Sequence, residues 1–554
     1  MNYNKILTYK KFCKLLDSFP VSLFFYLIIV NLPSLPYIYA QFSKHTLLSI
    51  VALVQRAVFG AALISLIIML MPNKFIKRTL MVVVTIFASV SFVLDFFAVY
   101  QYQHPFNSGM LDIALSTNSN EVHEYLGQYV TSGFLGYLAG VTIIVAIVLI
   151  VVKKIIRRWN VQRFIAVIIG LLLLVNVVDM LRLGLEQYKQ HIITITSPLK
   201  LIQIIKDTYT NIKHYETYEA RVLNNTVKVI KDDSDIPYVV FILGESTSRN
   251  HMSLYGYYLK TNPLLEKRKE TGGLYVFTDV VSHHSHTLQV MRELFTFYRR
   301  TDTDEWYNHN NLFDILKQTD YKTAWLSNQE SVGIFSLDKF YSRRCDYRHF
   351  TDVRESRDKA AFPDGVLLPA VKDIPQGEKN FILIHLMGTH GAYDNRYPKE
   401  YDVFQADDED KGGDDEKRRI RAQYDNAVLY NDYIVDTLIE NFADKDAIVI
   451  YVSDHADEVY EDRDFAGHTE SMGTKHMIEI PCIIYTTQTF AQKRPQLVDR
   501  IARATDRPFM TDDMIHMLLD IMSIETPEYD PHKSLINDDF RESKRIYADK
   551  VYEK

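Results

Sequence analysis

The sequence predicts a two-part chain: an N-terminal bundle of five membrane-spanning helices, then a C-terminal α/β domain built on a mostly parallel sheet. Two observations predict it. Five apolar runs fill about the first 190 residues, each near the ~20 residues that cross a bilayer. From Pro237 onward, short continuous apolar strands alternate with helical patterns, which is the α/β signature. The expected organisation is a membrane domain over 1–190, an interfacial or bridging segment over 191–235, and a catalytic domain over 236–554.

The five runs lie near 20–41, 49–71, 79–101, 130–152 and 164–183. Basic residues mark the cytosolic side. Lys5, Lys10, Lys11 and Lys14 precede the first run; Lys74, Lys77 and Arg78 separate the second and third; Lys153, Lys154, Arg157, Arg158 and Arg163 separate the fourth and fifth. The connection from Gln101 to Gln128 has no Lys or Arg. By the positive-inside rule the N-terminus is cytosolic, and everything after Leu183 lies on the far side, the periplasm in a Gram-negative cell. The basic start runs into the first apolar stretch without a small-residue cleavage site, so no cleaved leader is expected. Arg56, Asp95, Asp179 and Arg182 fall near span ends and read as snorkelling groups. Beyond the spans, Leu201, Ile202, Ile204, Ile205, Tyr209 and Ile212 recur at helical spacing. The pattern suits a helix on the membrane surface and equally one packed on the soluble domain.

Composition excludes some functions. A net charge of -7, with no basic aromatic-interleaved stretch, argues against nucleic acid as a partner. The three cysteines, Cys13, Cys345 and Cys482, allow at most one bridge and no thiolate metal site.

In the soluble part, strands are expected at Tyr238–Leu243, Lys322–Leu326, Phe381–His385 and Ala447–Val452, and a helix over Tyr424–Asn441. Ligands of such sheets bind beyond the carboxyl ends of the strands. Glu245 follows the first strand; Asp454 and His455 follow the last, with His468 a short loop further on. Carboxylate and imidazole together suit zinc or manganese better than calcium. In the loop Val281-Ser282-His283-His284-Ser285-His286-Thr287, Ser285 and Thr287 are the two candidate hydroxyls, beside three histidines that read either as metal or phosphate ligands or as loop polarity.

Five runs together resemble one family, the membrane-bound phosphoethanolamine transferases of the alkaline phosphatase/sulfatase superfamily. They are Gly244-Glu245-Ser246-Thr247-Ser248-Arg249-Asn250-His251, Ser253-Leu254-Tyr255-Gly256-Tyr257, Thr261-Asn262-Pro263, His385-Leu386-Met387-Gly388-Thr389-His390-Gly391 and Ser453-Asp454-His455. The resemblance implies an alkaline phosphatase/sulfatase-like domain and a Thr nucleophile beside zinc, at one tight site with room for a second. It implies phosphatidylethanolamine as donor, and lipid A, the lipopolysaccharide core or another glycan or phosphate as acceptor, in the bacterial inner membrane. By motif position Glu245, Asp454, His455 and Thr287 would hold zinc. Thr287 is preferred over Ser285 as nucleophile by its spacing from Leu294-Phe295-Thr296-Phe297 and by residue type. His390 and His468 would act at the phosphoryl group as acid/base or second-metal ligands. In the third-to-fourth connection, Thr117 and Glu121 would meet the ethanolamine group, and Asn328 would line the donor pocket; Ile113 departs from the family's usual Asn there. A glycerol-phosphate transferase of the lipoteichoic acid synthase type is the alternative enzyme. A non-catalytic membrane sensor or assembly protein is the alternative class. A sulfatase activity is disfavoured, since neither hydroxyl sits in a CxPxR-type context.

Overall fold

Where the structure describes them, the apolar runs form helices that keep much of their apolar surface exposed. The computed structural model describes residues 18–32, 34, 47–117, 119–159, 167–172, 176, 180–181, 193, 196–224, 227–329, 337–351, 363–410, 412–470, 473–548 and 550–554. Contacts divide the chain into two units, Met1–Ala114 with Tyr129–Asn211, and Leu115–Gln128 with Ile212–Lys554.

In the first unit, three helices among the described residues are long and apolar enough to cross a membrane: Leu53–Leu70, Lys74–Tyr102 and Ser132–Ile155. Ala61, Ala62 and Ala88 are buried with Leu27 and Ile64, small residues that let helices approach closely. Outward, Val82, Ile86, Val90 and Val93 form an exposed apolar stripe at helical spacing. The expected first span is described as the shorter helix Val21–Ile29, and most of its remainder, like most of the expected fifth span, lies outside the described residues. The amphipathic segment forms the helix Ser197–Asn224. It buries Leu201 and Ile204 and exposes Ile202, Ile205 and Tyr209.

The second unit is built on seven strands: β1 Tyr238–Gly244, β2 Leu274–Phe277, β3 Tyr321–Ser327, β4 Tyr347–Phe350, β5 Lys379–His385, β6 Ala447–Ser453 and β7 Cys482–Thr486. They lie in the order β2-β7-β6-β1-β5-β3-β4. The run from β6 through β4 is parallel, whereas β7 is antiparallel to both β6 and β2, so the sheet is mixed. The edge pair follows from β7 returning directly beside β6; strand direction is not written in the two-residue period from which strands are read. Val239, Phe241 and Leu243 of β1 enter the core on one face, and Val240 and Ile242 the core on the other. Both faces are therefore buried, which is why the strand reads as an unbroken apolar run. The helix Asp415–Glu440 covers the second face with Ala427, Val428, Ile434, Val435, Leu438 and Ile439. Cys345 and Cys482 are free thiols, so the one bridge the composition allows within this unit is not formed.

Candidate active site

Adjacent parallel strands bring their carboxyl ends to one place. Gly244 of β1 pairs with Ser453 of β6, so Glu245 and Asp454 leave the sheet side by side. The Asp454 N–H donates to the Gly244 carbonyl at 3.0 Å, and the Ser246 N–H donates to Asp454 Oδ1 at 3.2 Å. Ser246 adopts φ +57°, a left-handed turn that redirects the chain immediately after Glu245. The covering helix holds that turn: Tyr424 donates to the Ser246 carbonyl at 2.7 Å and accepts from the Ser248 N–H at 2.8 Å. On the other side β5 ends in a turn whose Gly388, at φ +55°, lies so close that a Cβ would sit 2.4 Å from the Glu245 carbonyl oxygen.

Glu245, Asp454 and His455 form the buried floor. Their ligand atoms lie within 4.8 Å of one another. His455 Nε2 is 3.3 Å from Glu245 Oε1 and 3.4 Å from Asp454 Oδ2. Thr287, the first residue of the helix Thr287–Glu293, stands at the mouth. Its hydroxyl donates to Glu245 Oε2 at 2.9 Å and lies 3.2 Å from His455 Nε2. Ser285 points elsewhere, donating to Glu470 Oε2 at 3.2 Å.

The electrostatics call for a cation. Burial and the neighbouring Glu245 charge push the Asp454 carboxyl well above the usual range. Burial opposes ionisation of Glu245 too, but the His455 ring holds it well below its usual range. Asp454 Oδ2 is buried without a hydrogen-bond partner, and such an orphan is costly unless something binds it. A divalent ion would satisfy that oxygen and let both carboxylates ionise. Two carboxylates, an imidazole and a hydroxyl match zinc's preferred donors.

Three more histidines ring the mouth. The His468 ring lies 4.1 Å from that of His455, 5.3 Å from His286 and 6.0 Å from His390, centroid to centroid. His468 Nδ1 is fixed by Asp457 Oδ1 at 2.7 Å, and Asp457 in turn accepts from Tyr393 at 2.8 Å. His455, Asp457 and His468 make a second group able to hold a metal. Burial pushes His390 down to about 4 against the pull of Glu245, with Arg396 adding to the drop, and its Nδ1 has no partner.

The structure thus brings Glu245, Thr287, Asp454, His455, His390 and His468 together. Asn328 is buried behind them. Its amide donates to Asp364 Oδ1 at 2.9 Å, and Asp364 accepts from the Met387 and Gly388 N–H groups, so it supports the β5 turn. Thr117 is half-buried just past the helix Ser108–Ser116. Glu121 falls within the helix Ser119–Tyr129, its side chain outside the described residues. Of the three histidines in the loop before Thr287, only His286 reaches the mouth; His283 bonds Thr511, and His284 lies between Glu293 and Glu470. Sequence reasoning gave no role to Asp457, though it lies two residues after His455. It also missed Glu124, whose carboxylate accepts from Asn395 at 3.0 Å and pairs with Arg396. Arg396 donates to the His390 carbonyl at 2.8 Å, so the 115–128 segment is tied to the His390 turn.

The sulfatase family model matches residues 237–524, the whole region that carries these groups. The chain belongs to the sulfatase family. Several of its relatives are named phosphoethanolamine transferases. Phosphoethanolamine transferase EptC of Escherichia coli O18:K1:H7 is 26% identical over 507 residues, 86% of this chain and 85% of the relative. The crystal structure of the C-terminal periplasmic domain of E. coli EptC, a complex with Zn, is 30% identical with a TM-score of 0.54, covering 58% of this chain and 92% of that one. The Kdo(2)-lipid A phosphoethanolamine 7''-transferase of Salmonella typhimurium is 26% identical over 47% of this chain and 46% of its own length. The fold extends further: the integral membrane lipooligosaccharide phosphoethanolamine transferase A of Neisseria meningitidis gives a TM-score of 0.64 at 19% identity, over 94% of this chain and 97% of that one.

Proposed function

We propose that this chain is a zinc-dependent phosphoethanolamine transferase of the bacterial inner membrane. It takes phosphoethanolamine from phosphatidylethanolamine onto Thr287 and passes it to a periplasmic acceptor, lipid A or the lipopolysaccharide core. One observation carries the reading: the Thr287 hydroxyl meets Glu245 and His455 directly above a buried acidic floor. The names of the E. coli and Salmonella relatives support the transferred group and the acceptor, and the zinc complex of the EptC domain supports the metal.

Glu245, Asp454, His455 and the Thr287 oxygen would hold the first ion; His455, Asp457 and His468 are the candidates for a second. Bound there, zinc supplies Lewis-acid stabilisation of negative charge on the threonine and phosphoryl oxygens. The rest falls to the side chains. Glu245 Oε2 receives the proton of the Thr287 hydroxyl, toward which it is already hydrogen-bonded. As the Thr287 Oγ–phosphorus bond forms, the phosphorus–glycerol oxygen bond breaks, and the departing diacylglycerol oxygen needs a proton. His468, oriented through Nδ1 by Asp457, keeps Nε2 for that donation. In the second half, His390, neutral because of its burial, accepts the proton of the acceptor hydroxyl, whose oxygen displaces Thr287 from phosphorus, and Glu245 returns its proton to the departing Thr287 oxygen. Thr117 and Glu121 are proposed to meet the ethanolamine ammonium, with Glu124 anchoring their segment.

The expected topology has five spans, a cytoplasmic N-terminus and a periplasmic catalytic domain. The Lys/Arg distribution supports it, as does the periplasmic origin of the EptC domain. The exposed stripe Ile202, Ile205 and Tyr209 is proposed to lie in the membrane surface.

The test uses the full chain in lipid nanodiscs with zinc, offering headgroup-labelled phosphatidylethanolamine or phosphatidylglycerol, with lipid A as acceptor. The expected result is diacylglycerol release and label transfer from the ethanolamine lipid alone. Turnover of phosphatidylglycerol alone would move the chain to the glycerol-phosphate transferases. Turnover of neither lipid would favour a non-enzymatic role.

A further inference from the structure

The loop before Thr287 is held by a network that touches neither the floor carboxylates nor the Thr287 hydroxyl. Ser282 donates to the Asp454 carbonyl at 2.5 Å, and His283 bonds Thr511 at 2.9 Å. The last turn before the nucleophile then rests on one carboxylate, that of Glu470. Its Oε2 accepts from the Ser285 N–H at 2.9 Å and from the Ser285 hydroxyl at 3.2 Å. Its Oε1 accepts from His284 Nδ1 at 2.7 Å and from Arg300 Nη1 at 3.2 Å. The other edge of the His284 ring meets Glu293 Oε1 at 3.0 Å. Glu293 ends the nucleophile helix, and its second oxygen accepts from the Arg300 N–H at 3.1 Å. The ring of contacts Glu470–His284–Glu293–Arg300 therefore closes on itself and clasps both ends of that helix.

Glu470 also belongs to the loop that carries His468, two residues earlier. We infer that Glu470 is a positioning residue: it fastens the nucleophile loop to the His468 loop and so sets Thr287 against the group that protonates the leaving oxygen. The inference rests on the transferase reading above. It also accounts for Ser285, the competing hydroxyl, whose donor is committed to this clamp. Both Glu470 oxygens are committed to the tie, Oε2 to Ser285 and Oε1 to His284 and Arg300.

The experiment measures single-turnover formation of the covalent adduct by the full chain in zinc-loaded nanodiscs containing phosphatidylethanolamine. It compares wild type with Glu470→Gln, Glu470→Ala and Glu470→Asp. Misplacing reacting groups by about 1 Å costs roughly 100-fold. The expected result is a fall of about 10- to 100-fold in adduct rate for Gln and Ala. The donor KM, zinc content and melting temperature stay at the wild-type values, and Asp recovers part of the rate. An unchanged rate would overturn the inference. So would a loss that tracks released zinc or a lowered melting temperature, or a raised KM at unchanged kcat. A wild-type chain that forms no adduct would overturn the transferase reading, and this inference with it.

Discussion

Gly388→Ala tests the geometry of the site more sharply than removal of any charged group. Gly388 sits in the turn after β5 with φ +55°, and a Cβ added there would lie 2.4 Å from the Glu245 carbonyl oxygen and 2.8 Å from its nitrogen. Ordinary contact begins near 3.4 Å, so the two backbones must part by about 1 Å. Neither can yield cheaply. The Gly388 N–H is bonded to Asp364 at 2.8 Å, and the Glu245 carbonyl already accepts from the Thr389 N–H at 3.0 Å. A left-handed alanine costs about 1–2 kcal/mol, and overpacking a filled site costs about 1–3 kcal/mol more. The expected destabilisation is therefore about 2–5 kcal/mol. The residue that moves is Glu245, which accepts from Thr287 and belongs to the acidic floor, so kcat should fall about 100-fold even at temperatures where the variant is fully folded. The assay pairs thermal melting with transfer from labelled phosphatidylethanolamine well below the melting temperature. A Gly388→Ala chain with wild-type melting and turnover would refute the argument that this glycine exists to let β5 reach Glu245.

Other expectations follow from the same contacts. Thr287→Ala should abolish transfer while leaving melting and membrane insertion unchanged, whereas Ser285→Ala should retain most of the activity; the reverse pattern in a lipid-release assay would exchange their roles. Asp454→Asn and Glu245→Ala should each lose bound zinc by elemental analysis after dialysis, and zinc contents equal to wild type would count against the floor as the metal site. His251 is fully buried between Asp425 and Glu461, each 2.6 Å away, and their charges raise it to about 9 despite the cost of burial. Its stabilisation is therefore complete below about pH 6.5 and lost as pH rises through about 9, a linkage of at most about 3 kcal/mol. Wild-type melting temperature should fall between pH 7 and 10 more steeply than that of His251→Gln, and parallel curves would remove His251 from the account.

What the sequence disclosed followed from local patterns. Tyr238–Leu243 and Ala447–Val452 were readable as strands because burial on both faces demands unbroken apolar runs, and a strand end makes the next polar residue, Glu245 or Asp454, a site candidate. Thr287 was singled out by its spacing from Leu294-Phe295-Thr296-Phe297 and by residue type, and its hydroxyl lies against Glu245 and His455. What escaped depends on contacts between distant segments. Glu470 meets Ser285 across 185 residues, and Glu124 meets Arg396 across 272, and no local period announces either pair. Asn328 follows a strand as a pocket residue should, yet its amide turns inward to Asp364, an orientation set by the neighbouring β5 turn. The antiparallel β7 was missed because Cys482–Thr486 is short and its direction is fixed by pairing rather than composition. In the first unit, the expected first run is described as a helix over Val21–Ile29, and Pro33 and Pro36 lie outside the described residues.

In the proposed mechanism Thr287 carries the transferred group. The direct measurement is peptide mass spectrometry of the full chain after brief incubation with zinc and phosphatidylethanolamine, without acceptor. The expected result is a phosphoethanolamine adduct on the peptide spanning Thr287, localised to that residue by fragmentation and absent from Thr287→Ala. An adduct on Ser285, or diacylglycerol release from a chain that never becomes modified, would contradict it.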